Sequence, residues 1–165
     1  AAFPHLQEEY TDKALIDFKG SWRRFEHKGE TPQGALVFDD YAHHPTAIEK
    51  TILAARERYP EKRIVVVFHP HLYSRTRDLF AGFVGSLAMA DRIILAPIYA
   101  AREENTHEIS SQKLAVAIEA INKNVVALPS FDTIRTELLS STGSNDLIIL
   151  MGAGDIYKVA EQIAD

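Results

Sequence analysis

The sequence contains no cysteine among its 165 residues, which excludes disulfide bonds and thiolate chemistry. The absence fits a reducing compartment, and we expect a cytoplasmic protein. No apolar run approaches the roughly 18 residues that span a bilayer, so we expect no membrane segment. Basic residues are scarcer than acidic ones, at 18 against 23, and the resulting charge of −5 argues against a nucleic-acid partner.

Three motifs of phosphate binding or nucleophilic catalysis are also missing. The chain has no GxGxxG fingerprint, no GxxxxGK[ST] phosphate loop and no GxSxG elbow. The Gly-Ala-Gly of residues 152–154 lacks the fingerprint spacing, so it predicts a short turn and not a dinucleotide site. The chemistry of this chain must therefore come from dispersed polar residues.

Hydrophobic residues make up 46% of the chain and charged residues 25%, which is typical of one globular domain with a buried core. The chain begins AAFPHLQ without methionine, and we expect it to be part of a longer protein. Residues 5–19 predict a short helix that ends at Gly20. Two extended stretches then flank a turn at residues 31–34.

Apolar runs and helical periodicities alternate through the rest of the sequence. The predicted strands are residues 35–38, 64–68, 93–96, 125–128 and 147–151, and the predicted helices are residues 46–59, 76–89, 110–122, 131–140 and 154–163. Pro45, Ser110 and Ser130 are expected at helix starts. Continuous apolar runs are typical of strands buried on both faces. The pattern predicts an α/β fold, a three-layer, doubly wound, Rossmann-like and mostly parallel sheet with helices on both faces.

Polar clusters follow four of the apolar runs directly. They are DDYAHHP (39–45), HPHLYSRTR (69–77), PIYAAREE (97–104) and GAGD (152–155). The carboxyl ends of parallel strands share one edge of a sheet, where ligands bind near the switch in strand order. We therefore expect the four clusters to meet in one functional site.

Arginines in these clusters and in the segment that enters the domain favour an anionic ligand. Arg75 and Arg77 lie near a predicted helix start, but Arg77 is followed by Asp78 and is expected to pair with it. Arg23 and Arg24 either reach a phosphate or form a surface pair. The sequence leaves these two interpretations open.

Histidines and aspartates raise a second set of alternatives. His43 and His44 are adjacent and should point apart, so that one faces the ligand edge and the other packs. Asp40 lies where doubly wound folds place a ribose-binding carboxylate, although an Asx turn or a helix cap explains it as well. A zinc site that combines these histidines with Asp39 or Asp40 is a further alternative, but the spacing matches no metal signature.

The segments WRRFE, DDYAHHPTAI, VVVFHPHLYSRTRDLF, IYAAREE and LIILMGAGDI, in this order, closely resemble the C-terminal domain of the Mur ligase family. The resemblance runs from about residue 21 to residue 163. PHLYSRT, YAARE and MGAGDI point to the branch that adds L-alanine. The branch that recycles a cell-wall tripeptide is similar around DDYAHHP.

The resemblance implies an ATP-dependent amide ligase of peptidoglycan precursor synthesis, with UDP-N-acetylmuramate, L-alanine and ATP as partners. The nucleotide-sugar carboxylate becomes an acyl phosphate, which the amino group of alanine attacks. Residues 1–20 would end the central ATP-binding domain, which carries the phosphate loop and the Mg²⁺ ligands, and residues 21–165 would form the C-terminal domain. A hinge is expected near residues 18–22. The isolated chain, with no catalytic side chain and no metal ligand of its own, is expected to be inactive.

Residue by residue, the resemblance assigns one group of side chains to ATP. Arg24 is similar to the arginine that reaches the ATP phosphates, and Asp40 to the carboxylate that holds the ribose. Tyr41 and His43 match positions that line both the nucleotide pocket and the amino-acid pocket.

A second group is assigned to the amino acid. His71 and Arg75 match the positions that bind alanine, with Arg75 near its carboxylate. Related ligases often have arginine where this chain has Leu72, so that position is not carried over. Arg75, Arg77 or His69 would have to supply the missing cationic contact.

Two other classes of function stay open from the residues alone. One is a stand-alone metal-dependent hydrolase built on the histidine and aspartate cluster. The other is a non-catalytic, nucleotide-binding regulatory module.

Overall fold

The computed structural model describes residues 12–13, 20–104 and 108–164. In chain order its elements are β1 (Glu26–Glu30), β2 (Leu36–Asp40), α1 (Pro45–Arg58), β3 (Arg63–Phe68), α2 (Tyr73–Asp78), α3 (Phe80–Leu87), β4 (Arg92–Leu95), α4 (Ser111–Glu119), β5 (Val125–Ala127), α5 (Phe131–Ser141), β6 (Asp146–Met151) and α6 (Tyr157–Ile163). The helix predicted over residues 5–19 lies outside the described residues. None of the helices in the described ranges is long and apolar enough to cross a bilayer.

The strands form one sheet in the order β1-β2-β6-β3-β4-β5. β1 pairs with β2 in the antiparallel sense, and the other four pairings are parallel. The last strand, β6, lies between β2 and β3, which places the switch in strand order at the middle of the sheet. The predicted doubly wound, mostly parallel sheet is confirmed.

Helices cover both faces of this sheet and so bury alternate strand residues on opposite sides. Val66 and Phe68 of β3 belong to one core cluster with α1, α3 and α4. Val65 and Val67 belong to the other cluster with α5 and α6. All four side chains are fully buried. The result is a three-layer domain in which the loops at the strand ends can carry ligand-binding side chains.

The helix starts follow the predicted chemistry. His44 is the N-cap of α1, and its Nδ1 accepts a hydrogen bond from the amide of Thr46 at 3.3 Å, while Pro45 occupies the first helical position. Ser110 and Ser130 cap α4 and α5 through their hydroxyl oxygens. These three caps fix where the chain leaves each loop on the ligand side of the sheet.

Three predicted helices differ from the structure by three residues at one end. The helix predicted over residues 110–122 ends at Glu119. The segment predicted as one helix over residues 76–89 begins earlier and is divided at Leu79, whose φ of −108° and ψ of 18° separate α2 from α3. The apolar spacing that predicted it belongs to α3 alone. The final helix starts at Tyr157 and not at residue 154, because Gly152, with φ 147°, begins a turn.

Candidate anion-binding site at the strand ends

The four polar clusters meet at the carboxyl ends of the strands, which we call the strand-end edge. The amide of His69 donates to the carbonyl of Met151 at 2.9 Å, and the amide of Gly152 donates to that of Asp40 at 3.1 Å. His71 and Tyr99 form a parallel bridge between the loops after β3 and β4. The prediction that sequence-distant clusters share one edge is therefore confirmed.

Arg23 is buried at this edge, with 2% of its surface exposed. Its Nε donates to Asp39 Oδ2 at 2.7 Å and its Nη2 to Asp39 Oδ1 at 3.3 Å. The guanidinium also donates to the carbonyls of Gly152, at 2.6 Å, and Gly154, at 3.1 Å. Burial raises the pKa of Asp39, while the paired guanidinium opposes this rise. Arg23 thus fastens the segment that enters the domain to β2 and to the last turn.

Arg24 has the opposite environment. It is exposed, and its guanidinium carbon lies 5.5 Å from the centre of the Tyr41 ring, in a cation–π contact. In the described part of the chain no carboxylate lies within 4.0 Å of its nitrogen atoms. The structure therefore distinguishes the two arginines, which the residue pattern alone had left open, and Arg24 is the one that is accessible to an external anion.

Asp40 is held by the backbone. Its Oδ2 accepts from the amide of Phe25 and its Oδ1 from the amide of Ala42, both at 2.7 Å. Only 6% of the residue is exposed, and burial raises the pKa of its carboxyl group. The carboxylate closes a turn in this state. Its assignment to a ribose stays a prediction and requires the carboxylate to accept a ligand hydroxyl besides these two amides.

Tyr41 and His43 pack edge to face, with ring centres 5.2 Å apart. His43 Nδ1 donates to the carbonyl of Tyr41 at 2.9 Å, so its Nε2 is the nitrogen left for a ligand. His43 is half-buried, while the neighbouring His44 is an exposed helix cap. The prediction that one of the two histidines packs is wrong, because His44 is exposed and caps α1, while the ligand role of His43 stays a prediction.

His71 and Arg75 lie one helical turn apart, with Arg75 Nη1 3.4 Å from His71 Nδ1. Burial, followed by the charges of Arg75 and His43, lowers the pKa of His71, which keeps the imidazole neutral at pH 7. Within the described ranges Arg75 has no carboxylate partner. Arg77 instead pairs with its neighbour Asp78 at 2.9 Å, as predicted.

The loop after β4 braces this pair. The sequence placed its cluster at this edge but gave Tyr99 and Glu103 no individual role. The Tyr99 ring centre lies 5.2 Å from that of His71, and the amide of Leu72 donates to the carbonyl of Tyr99 at 2.8 Å. Glu103 accepts from the amide of Ser74 at 3.0 Å and from its hydroxyl. Hydrogen bonds from Ser74 lower the pKa of the Glu103 carboxyl group. The signal available in the sequence was their position directly after a buried strand.

His69 is a buried, neutral member of the edge. It is 4% exposed, its Nδ1 has no hydrogen-bond partner, and burial lowers its pKa to about 4. Its ring packs edge to face on Phe131 and Tyr99. A Cβ on Gly154 would lie 2.9 Å from the Nδ1 and Cε1 atoms of this ring, and one on Gly152 would lie 2.7 Å from the His69 carbonyl oxygen. The Gly-Ala-Gly turn is thus required by close packing against His69.

Comparisons with known proteins give these residues a context. The sequence pattern of the family described as Mur ligase, glutamate ligase domain, matches residues 23–154. UDP-N-acetylmuramate–L-alanine ligase of Lachnospira eligens is 48% identical over 155 residues, which cover 94% of this chain and 33% of the relative. The same-named enzyme of Caldanaerobacter subterraneus subsp. tengcongensis is 45% identical over 158 residues, which cover 94% of this chain and 34% of the relative. The chain therefore spans about a third of the length of these relatives.

Solved structures agree on the fold. The crystal structure of UDP-N-acetylmuramate-alanine ligase from Thermotoga maritima matches with a TM-score of 0.74 and 24% identity, over 92% of this chain and 31% of that chain. A murein peptide ligase from Psychrobacter arcticus matches with a TM-score of 0.67 and 25% identity, over 92% and 31% of the two chains.

Proposed function

Since the chain belongs to the Mur ligase C-terminal domain family, we propose that it is the C-terminal part of an ATP-dependent ligase that joins L-alanine to UDP-N-acetylmuramate. The observation that carries this proposal is the match over 94% of the chain, at 45% and 48% identity, to relatives named for that activity. The geometry of the strand-end edge supports it, since Arg24 and Arg75 have no carboxylate partner in the described residues, as is also true of the exposed Arg102. We assign Arg24 to a phosphate of ATP and Arg75 to the carboxylate of the amino acid.

At one end of the edge, Arg24 contacts the ATP phosphates. It is exposed and held over Tyr41, so a phosphate can approach it without displacing an acidic partner. Asp40 receives the ribose, and Tyr41 with His43 lines the nucleotide and the incoming amino acid. These assignments rest on the match of the residues to the family and on the exposure of Arg24.

At the other end, Arg75 binds the carboxylate of L-alanine. A guanidinium forms two parallel hydrogen bonds to a carboxylate, and a neutral His71 beside it can donate a third. Leu72 removes one cation that related ligases carry. Because Arg77 is already paired with Asp78 and His69 is buried, Arg75 is left to supply the compensating charge.

The chemistry of this domain is positioning and charge stabilisation. Residues 18 and 19 of the expected hinge lie outside the described residues. Closure about that hinge, near residues 18–22, would bring Arg24 and Arg75 onto substrates held by the rest of the enzyme and exclude water from the acyl phosphate. Mg²⁺ neutralises phosphate charge in such reactions. Among the described residues no group of three His, Cys, Asp or Glu side chains is arranged to hold a metal ion, so its ligands are expected elsewhere in the longer protein.

Phosphate release by the longer protein that carries this chain tests the proposal. We expect ATP turnover that depends on both UDP-N-acetylmuramate and L-alanine, and none by the isolated chain. The matched comparison replaces L-alanine with the L-alanyl-γ-D-glutamyl-meso-diaminopimelate tripeptide. Turnover with the tripeptide but not with L-alanine would overturn the proposal in favour of the recycling branch. Nucleotide binding without turnover would favour a regulatory module.

A further inference from the structure

Two residues with left-handed backbone flank Arg24. Arg23 has φ 55° and Phe25 has φ 47°, a conformation that is unfavourable for residues with a side chain unless the surrounding structure holds it. The amide of Phe25 donates to Asp40 at 2.7 Å. The carbonyl of Arg23 accepts from the amide of Tyr41 at 2.8 Å. The backbone that presents Arg24 is therefore fixed on both sides by the end of β2.

The Arg23 side chain completes this fixation. Its four hydrogen bonds run to Asp39, which is 16 residues away, and to the carbonyls of Gly152 and Gly154, about 130 residues away. Its guanidinium carbon also lies 5.2 Å from the centre of the Tyr41 ring and 4.9 Å from that of Tyr157. With 2% exposure and these partners, the group has no room for an external anion. A lysine ammonium in its place lacks the planar fork that serves these acceptors at once.

We propose that Arg23 is a positioning residue, which ties the last turn and the end of β2 to the segment that enters the domain and thereby directs Arg24 toward the ligand side of the strand-end edge. The inference rests on the proposed function, because Arg24 is the residue assigned to the ATP phosphates. Asp39 is the partner that holds Arg23 in place. Arg23 thus fixes the position of the backbone, and Arg24 contacts the ligand.

A double-mutant cycle in the longer protein tests this division. Arg23→Lys keeps the charge and removes the fork, and Arg24→Ala removes the proposed phosphate contact. We expect Arg23→Lys to raise the KM for ATP about tenfold with a smaller effect on kcat, since a displaced Arg24 would lose much of its charge-assisted contact with a phosphate. In the Arg24→Ala background the same change should have little further effect on KM. A purely structural role would instead give multiplicative effects.

A control variant at the other end of the strands tests whether the loss of any arginine–aspartate pair has the same effect. Arg63→Lys alters another arginine–aspartate pair, with Asp146 at 2.6 Å, on the opposite edge of the sheet, and should leave the KM for ATP unchanged. The inference would be overturned if the effects of Arg23→Lys and Arg24→Ala on the KM for ATP multiplied, or if Arg24→Ala left that KM unchanged. Turnover of the wild type with L-alanine would still support the proposed function in either case. If Arg23→Lys unfolds at the assay temperature, Asp39→Asn is taken through the same cycle and decides by the same criterion.

Discussion

Replacement of His69 by glutamine should make the domain less sensitive to acid. In the folded chain, burial lowers the pKa of His69 from 6.5 to about 4. The charges of His71 and Arg23 act in the same direction, and that of Asp155 acts against it. The unfolded chain therefore binds a proton at a higher pH than the folded chain does, and the stability of the wild type falls as the pH drops from about 6.5 to about 4.

The size of this effect follows from the shift in pKa. Each unit corresponds to about 1.4 kcal/mol, so the full loss due to His69 is about 3 kcal/mol below pH 4 and about 2.5 kcal/mol at pH 4.5. Glutamine is polar and does not titrate, so the variant loses this contribution at every pH. The pKa values of Asp39 and Asp40 are raised by burial, and a raised carboxyl pKa acts in the opposite sense, because its stabilising contribution is present at low pH and lost as the pH rises. Both aspartates remain in the variant and cancel in the comparison.

Urea unfolding of the two proteins at pH 7 and pH 4.5 gives the required difference. We expect the wild type to lose about 2.5 kcal/mol more than the His69→Gln variant between these pH values. His27→Gln, at an exposed strand position, is the matched control and should follow the wild type. If the wild type and the His69→Gln variant lose stability in parallel, the buried imidazole is not the acid-sensitive group and the reasoning is refuted.

Further predictions concern close packing and the amino-acid end of the site. Gly154→Ala places a Cβ 2.9 Å from the His69 ring and should destabilise the domain by about 1–3 kcal/mol in urea unfolding. Gly85→Ala is the control, because this helical position has no atom within 4 Å of the added Cβ. It should stabilise the domain by up to about 1 kcal/mol. Arg75→Ala in the longer protein should raise the KM for L-alanine roughly tenfold or more, and Arg77→Ala should leave that KM near the wild-type value. Equal effects of the two arginine variants would contradict the assignment of Arg75 to the carboxylate.

Elements buried on both faces of the sheet could be predicted from the sequence to within about two residues. The β-branched run of residues 64–68 has few alternatives to a central strand, and β3 indeed covers Arg63–Phe68. The division at Leu79 could not be predicted, since hydrophobic spacing reports which residues face the core and not where a helix axis changes. The start of α6 was predicted three residues too early, because the turn predicted over residues 152–154 continues to Ile156.

Roles within the site were harder to predict than its location. Four clusters after four strands had to share one edge, whichever residues they contained. Arg23 and Arg24, by contrast, are identical residues at adjacent positions. Their roles differ because of backbone angles and because of partners as far away as Gly154, and neither is encoded in the local sequence. The sequence pattern therefore predicts the location of a charged cluster more readily than which of its side chains lacks an ion-pair partner.

The arrangement of charge at the strand-end edge limits what it can bind. The chain carries a net charge of −5, so acidic partners for surface arginines are abundant, as the pairing of Arg77 with Asp78 illustrates. Arg24 and Arg75 have none in the described residues, and each lies beside an aromatic or imidazole ring that holds it without neutralising it. His43 links the two ends, since its ring packs on Tyr41 while its charge acts on the pKa of His71. Arg102, in the loop after β4, is exposed and also has no carboxylate partner in the described residues. An edge with several such cations suits more than one anion, and the proposed reaction, which brings a phosphate and an amino-acid carboxylate together, presents two.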